Sequence, residues 1–82
     1  MTTDAVCVIL EKAWELKTHA LIFVKDMSRF DIHIYTHDWK IYDSLNVLCI
    51  YSKEMKIESY IDCDNIVEIV VDVTRGDKEK EE

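Results

Sequence analysis

The chain contains no proline and a single glycine, Gly76, in 82 residues. Every turn ahead of Gly76 must therefore be made by Asp, Asn, Ser or Lys. Phosphate-cradling loops of the P-loop or dinucleotide-binding type need several glycines in a short span, which excludes nucleotide enzymes built on them. A nucleophile elbow needs glycines around its serine, and Ser28, Ser44, Ser52 and Ser59 have none. Long apolar runs are missing too. Ala5 to Leu10, Ala20 to Val24 and Val47 to Ile50 are the longest, far short of the roughly 18 to 20 residues of a spanning helix. The N-terminus surrounds Ala5 to Leu10 with Asp4 and Glu11 and lacks the basic start and small-residue cleavage site of a signal peptide. A cytoplasmic protein without membrane contact is expected.

Bases are scarce. Ten Lys and Arg stand against 17 Asp and Glu, for a formal net charge of −7. No cluster of cations is present to displace counterions from a phosphate backbone, so direct nucleic-acid binding is not expected. The cysteines Cys7, Cys49 and Cys63 are odd in number and widely spaced, which fits neither a disulfide framework nor a paired metal motif. They read as reduced thiols, with Cys7 and Cys49 acting as small hydrophobes. Cys63, within an Asx-rich turn, reads as an exposed thiol that Asp62 and Asp64 hold protonated.

What is present is a compact apolar pattern. The composition, 49% hydrophobic and 33% charged, is that of a globular chain, and the length allows one core. Thr2 or Thr3 can cap a helix, Asp4 suits its first turn, and Val6, Ile9, Leu10, Ala13 and Leu16 recur at helical spacing. A helix over about residues 3–17 follows, with Trp14 at the edge of its apolar stripe, where core packing is the first reading. From His19 the period falls to 2. Ala20 to Val24 forms one strand. Phe30, Ile32, Ile34 and Thr36 alternate with Asp31, His33, Tyr35 and His37 as a second, half-buried strand. A third begins at Trp39 and Ile41, is interrupted at Asp43 and Ser44, and is followed by the apolar run Leu45 to Tyr51. Met55 to Ile61 and Ile66 to Val73 complete the sheet.

The reading is one domain over residues 1–74 and a charged tail over 75–82. Its class is α+β, with an N-terminal amphipathic helix followed by a five-stranded, strongly curved antiparallel sheet or small barrel. Ile57-Glu58-Ser59-Tyr60-Ile61-Asp62-Cys63-Asp64-Asn65-Ile66-Val67-Glu68-Ile69 resembles the close of SH3-like and Sm-like small barrels, where a strand, one tight turn and a final strand seal the sheet. This resemblance implies architecture and no binding residues, since the glycines of an Sm-like barrel have no counterpart here.

His33, His37 and Asp38 are the most inviting chemical cluster. On one strand, however, two residues four apart stand about 13 Å apart, too far to share an ion. Asp62, Asp64 and Asn65 resemble the start of a calcium loop, but the following glycine and the distal bidentate glutamate are missing. No catalytic residue, metal site or cofactor is assigned. Surface remains. Tyr35, Trp39, Tyr42 and Tyr60, with the acids Asp31, Asp38, Asp43, Glu58, Asp62 and Asp64, form the expected partner-binding set, because aromatics rimmed by acids suit a protein interface.

The expected function is a non-enzymatic, acidic protein-interaction module. One form it takes is a phage or mobile-element inhibitor that fills the basic groove of a host nucleic-acid-processing protein by imitating phosphates. The alternative is a self-associating structural or regulatory small-barrel subunit, a homo-oligomer. The third reading is a small metal or enzyme site at His33, His37 and Asp38.

Overall fold

The computed structural model describes residues 1–73. The expected tail over 75–82 lies outside them. Helix α1 spans Thr3–Leu16. Strands β1 (His19–Val24), β2 (Arg29–His33), β3 (His37–Tyr42), β4 (Val47–Ser52), β5 (Ile57–Asp62) and β6 (Ile66–Val71) follow. Short 3-10 turns at Asp43–Leu45 and Cys63–Asn65 precede β4 and β6. The α+β class holds, but the five-stranded sheet or closed barrel does not. The strands form two three-stranded antiparallel sheets, ordered β2-β1-β6 and β3-β4-β5.

Two local events make the difference. The second strand read over Phe30 to His37 ends at His33, where the Thr36 N–H donates to the His33 carbonyl at 3.0 Å and the chain turns. The supposed third strand is two strands joined by the Asp43–Leu45 turn, with Asn46 at φ 56° reversing the chain into β4. Asn tolerates this left-handed conformation better than most residues.

Helix α1 starts as expected. Thr2 Oγ1 accepts from the Ala5 N–H at 3.1 Å, and Asp4 occupies the first turn. Lys17, at φ 55°, closes the other end in the left-handed region while its N–H reaches the Ala13 and Trp14 carbonyls. Val6, Leu10 and Ala13 are buried, and Ile9 and Leu16 are half-buried. The helix packs on β1 and β6. Beneath it lie Ala20, Ile22, Ile32, Leu48, Ile50, Ile61 and Ile66, one core shared by both sheets. Each fully buried Leu or Ile there contributes about 1.5–3 kcal/mol. Trp14 meets Trp39 edge-to-face, ring centroids 6.2 Å apart, tying α1 to β3. Thr18 Oγ1, at the turn between α1 and β1, is buried with no hydrogen-bond partner among the described residues.

All three hairpins turn without glycine. Met27, one residue before the end of the β1–β2 connection, and Asn46 and Lys56, the last residues of the β3–β4 and β4–β5 connections, take positive φ. The first is tightened by Asp26, whose carboxylate accepts from the Ser28 N–H at 2.9 Å and is held below the ordinary range chiefly by that bond. Among the described residues no helix is long and apolar enough to cross a membrane.

Candidate interaction face

The register of the second sheet decides which side chains meet on its outer surface. Tyr51 of β4 lies between Asp38 and Glu58, Cys49 lies between Lys40 and Tyr60, and Val47 lies between Tyr42 and Asp62. Because side chains alternate along a strand, these nine positions form one outward grid. Trp39, Ile41, Leu48, Ile50, Ser59 and Ile61 point the other way. Three tyrosines occupy the grid with three acids at its margins and Lys40 as its one base. Across the strands Asp38 and Glu58 stand about 10 Å apart, and along β5 Glu58 and Asp62 stand about 13 Å apart.

The tyrosines are interlocked. Tyr60 O–H donates to Glu58 Oε1 at 2.8 Å, and its ring lies 6.4 Å from that of Tyr42. Lys40 Nζ sits 5.1 Å from the Tyr42 centroid, a cation over an aromatic ring. The bond to the Glu58 carboxylate stabilises the protonated phenol and pushes the Tyr60 pKa up to about 12. Tyr60 remains 60% exposed, so it is available to a partner. Cys49 lies beneath this layer, buried, and burial followed by the Glu58 charge raises its pKa, against a smaller lowering by Tyr60 and Lys40. A shallow hollow of about 110 Å³ opens among Asp38, Lys40, Tyr42, Tyr51 and Glu58.

The structure thus brings together Tyr42, Tyr60, Asp38, Glu58 and Asp62 of the expected set and places the others elsewhere. Trp39 faces inward, partly buried against Trp14. Tyr35 stands exposed in the β2–β3 turn, stacked on His33 at 4.9 Å. Asp31 lies on the other sheet, where its Oδ1 is 3.0 Å from His19 Nδ1. Asp43 accepts a hydrogen bond from Thr3 Oγ1. Asp64 sits in the turn before β6, its N–H bonded to the Asp62 carboxylate at 2.9 Å. Tyr51 and Lys40 are the additions. Tyr51 ends an apolar run whose outward parity emerges only from the pairing with β3 and β5.

His33 and His37 do not share a strand. His33 closes β2, contacts the His19 ring at 4.8 Å and accepts the Tyr35 N–H at 3.1 Å, whereas His37 opens β3 and pairs with Thr36 Oγ1 at 2.8 Å. Asp38 lies 3.8 Å from Lys53 Nζ. Among the described residues no three His, Cys, Asp or Glu side chains converge closely enough to hold a metal ion. Cys63 is fully buried rather than exposed, because its 3-10 turn folds inward onto the core. Burial raises its pKa first, Asp62 and Asp64 add to this, and the N-terminal ammonium opposes it. Cys7 is raised as well, by burial and then by Glu11 and Asp4. All three thiols are protonated at neutral pH and are poor nucleophiles.

Compared with family models, curated proteins and solved structures, the chain matches none of them.

Proposed function

We propose that the protein is a non-catalytic interaction module that binds a basic surface of another protein through the outer face of β3-β4-β5. The supporting observation is the acid-rimmed tyrosine grid. Tyr42, Tyr51 and Tyr60 offer large contact areas at low conformational cost, while Asp38, Glu58 and Asp62 set a negative potential around them. Lys40 over Tyr42 demonstrates the chemistry within the molecule, since a cation already uses one of the rings. Arginine-rich surfaces, including nucleic-acid-binding grooves, match this pattern in charge and in ring stacking. An inhibitor that occupies such a groove in place of phosphates is the specific form this reading takes.

The test is affinity capture from host extract with wild-type protein and with Asp38→Lys/Glu58→Lys side by side. A basic protein retained by the wild type, eluted by salt and lost with the variant supports the reading. Equal retention by both, or none by either, contradicts it. Self-association is the second reading. It is favoured by the outer edge of β6, which pairs with no strand among the described residues, and by the exposure of Val67 and Val70. Concentration-dependent mass in light scattering distinguishes it from the first.

A further inference from the structure

The outer edge of β5 pairs with no strand among the described residues, since β4 occupies its other side. Its sequence, Ile57-Glu58-Ser59-Tyr60-Ile61-Asp62, includes no proline or lysine, the residues that commonly block addition of a further strand. The side chains divide by parity. Glu58, Tyr60 and Asp62 face out, and Ile57, Ser59 and Ile61 face in. Two hollows flank this edge, each lined by residues of β5 and by Phe30 of β2. One, of about 240 Å³, is lined in part by Phe30, Ile32, Ile50, Ile57 and Ser59. The other, of about 380 Å³, is lined in part by Val24, Phe30, Tyr60 and Ile61. Ile57 is left 50% exposed at the mouth of the first.

We propose that an extended peptide segment with alternating basic and apolar residues adds to the open edge of β5 as a further strand of that sheet. The inference rests on the outer face of β3-β4-β5 being the contact surface, and it specifies how a partner engages it. Backbone hydrogen bonds along the edge supply affinity, and alternate side chains supply selectivity. On the outer face, basic residues of the added strand oppose Glu58 and Asp62, with Tyr60 between them to take a cation or an aliphatic stem. On the inner face its apolar residues cover Ile57 and enter the smaller hollow beside Phe30 and Ile32. A strand's two-residue period delivers both sets at once.

Charge selects the occupant. Of the three other outer edges, β6 carries Glu68 and no base, so laying it along β5 brings acid toward acid, whereas β2 and β3 each mix acid with base, Asp31 with Arg29 and Asp38 with Lys40. Glu58 and Asp62 are best opposed by a strand whose outer row is wholly basic, which no edge of a second copy supplies.

The test uses a short peptide alternating lysine and valine, a block peptide of the same composition, and the alternating peptide N-methylated at every second amide. Binding is measured by calorimetry alongside light scattering. The alternating peptide is expected to bind at least about tenfold tighter than the block peptide, and N-methylation along one edge to abolish its binding. Glu58→Lys combined with Asp62→Asn is expected to weaken it about tenfold. Asn keeps an acceptor for the Asp64 N–H, and an unchanged melting curve verifies the fold. The N-methylated peptide tests the edge without altering the protein. Equal binding of alternating and block peptides, with loss on charge reversal, overturns strand addition and leaves the acidic face as the contact surface. No binding, or binding indifferent to charge reversal, overturns both. Oligomers that the peptide fails to dissociate also overturn the proposal, in favour of a second copy on the edge.

Discussion

At the residue scale, the shortage of glycine leaves a measurable mark. Lys17, Met27, Asn46 and Lys56 all occupy left-handed backbone, which costs a residue with a β-carbon about 1–2 kcal/mol. Lys17 closes α1 with its side chain exposed, where glycine is the usual choice. Replacing it, Lys17→Gly, relieves that cost while adding freedom to the unfolded chain, so a net gain of about 0.5–1 kcal/mol is expected. Thermal unfolding should show it as a midpoint several degrees higher. Thr18 offers a second gain, because its buried hydroxyl has no partner among the described residues. Thr18→Val removes that polar group at nearly constant shape, and denaturant unfolding should show a stabilisation of about 1 kcal/mol.

Tyr60 gives a titration prediction. Its folded pKa of about 12 lies above the ordinary 10 because the phenol donates to Glu58. The contribution is therefore fully present below pH 10 and is lost as pH rises through 10 to about 12. Ultraviolet titration should show one tyrosine ionising last, and Glu58→Gln should return it toward the ordinary value. A Tyr60 that titrates normally in the parent protein would mean the hydrogen bond is not formed in solution.

At the scale of elements, the helix was legible because its cap, first-turn acid and 3.6-residue stripe all agree. The paired strands after it were legible from alternation. The break between β2 and β3 was not, because Ile34, Tyr35 and Thr36 are strand formers and the two-residue period continues through them. Distant contacts settle it. Lys53 N–H donates to the Thr36 carbonyl at 2.9 Å and Lys53 Nζ reaches the Ile34 carbonyl at 3.1 Å, so the end of β4 captures the backbone and holds the turn. For the same reason half of the expected surface set scattered. Parity places a residue on one face of its own strand, while pairing decides which faces come together, as with Tyr51 joining the grid and Trp39 turning inward.

Asn46 provides the element-scale prediction. It reverses the chain between β3 and β4 at positive φ, and its Nδ2 donates to Asp62 at 3.3 Å. Asn46→Ala should destabilise by about 1–2 kcal/mol, whereas Asn46→Gly keeps the backbone geometry and should cost less. Equal losses in chemical denaturation would show that the side-chain bond, not the backbone conformation, holds this hairpin.

At the scale of the whole molecule, one helix and two small sheets share a single core. The chemistry is displaced to the surface, where acids and tyrosines concentrate on β3-β4-β5. The net charge of −7 sets a negative long-range potential, an effect that fades as salt screens it. The most direct measurement is a map of amide shifts in isotope-labelled protein titrated with the alternating lysine–valine peptide at low salt. Perturbations concentrated over residues 38–42, 47–51 and 57–62, and reduced by added salt, are what this account predicts. Perturbations centred on α1 and the β2-β1-β6 sheet, or scattered evenly over the molecule, would contradict it.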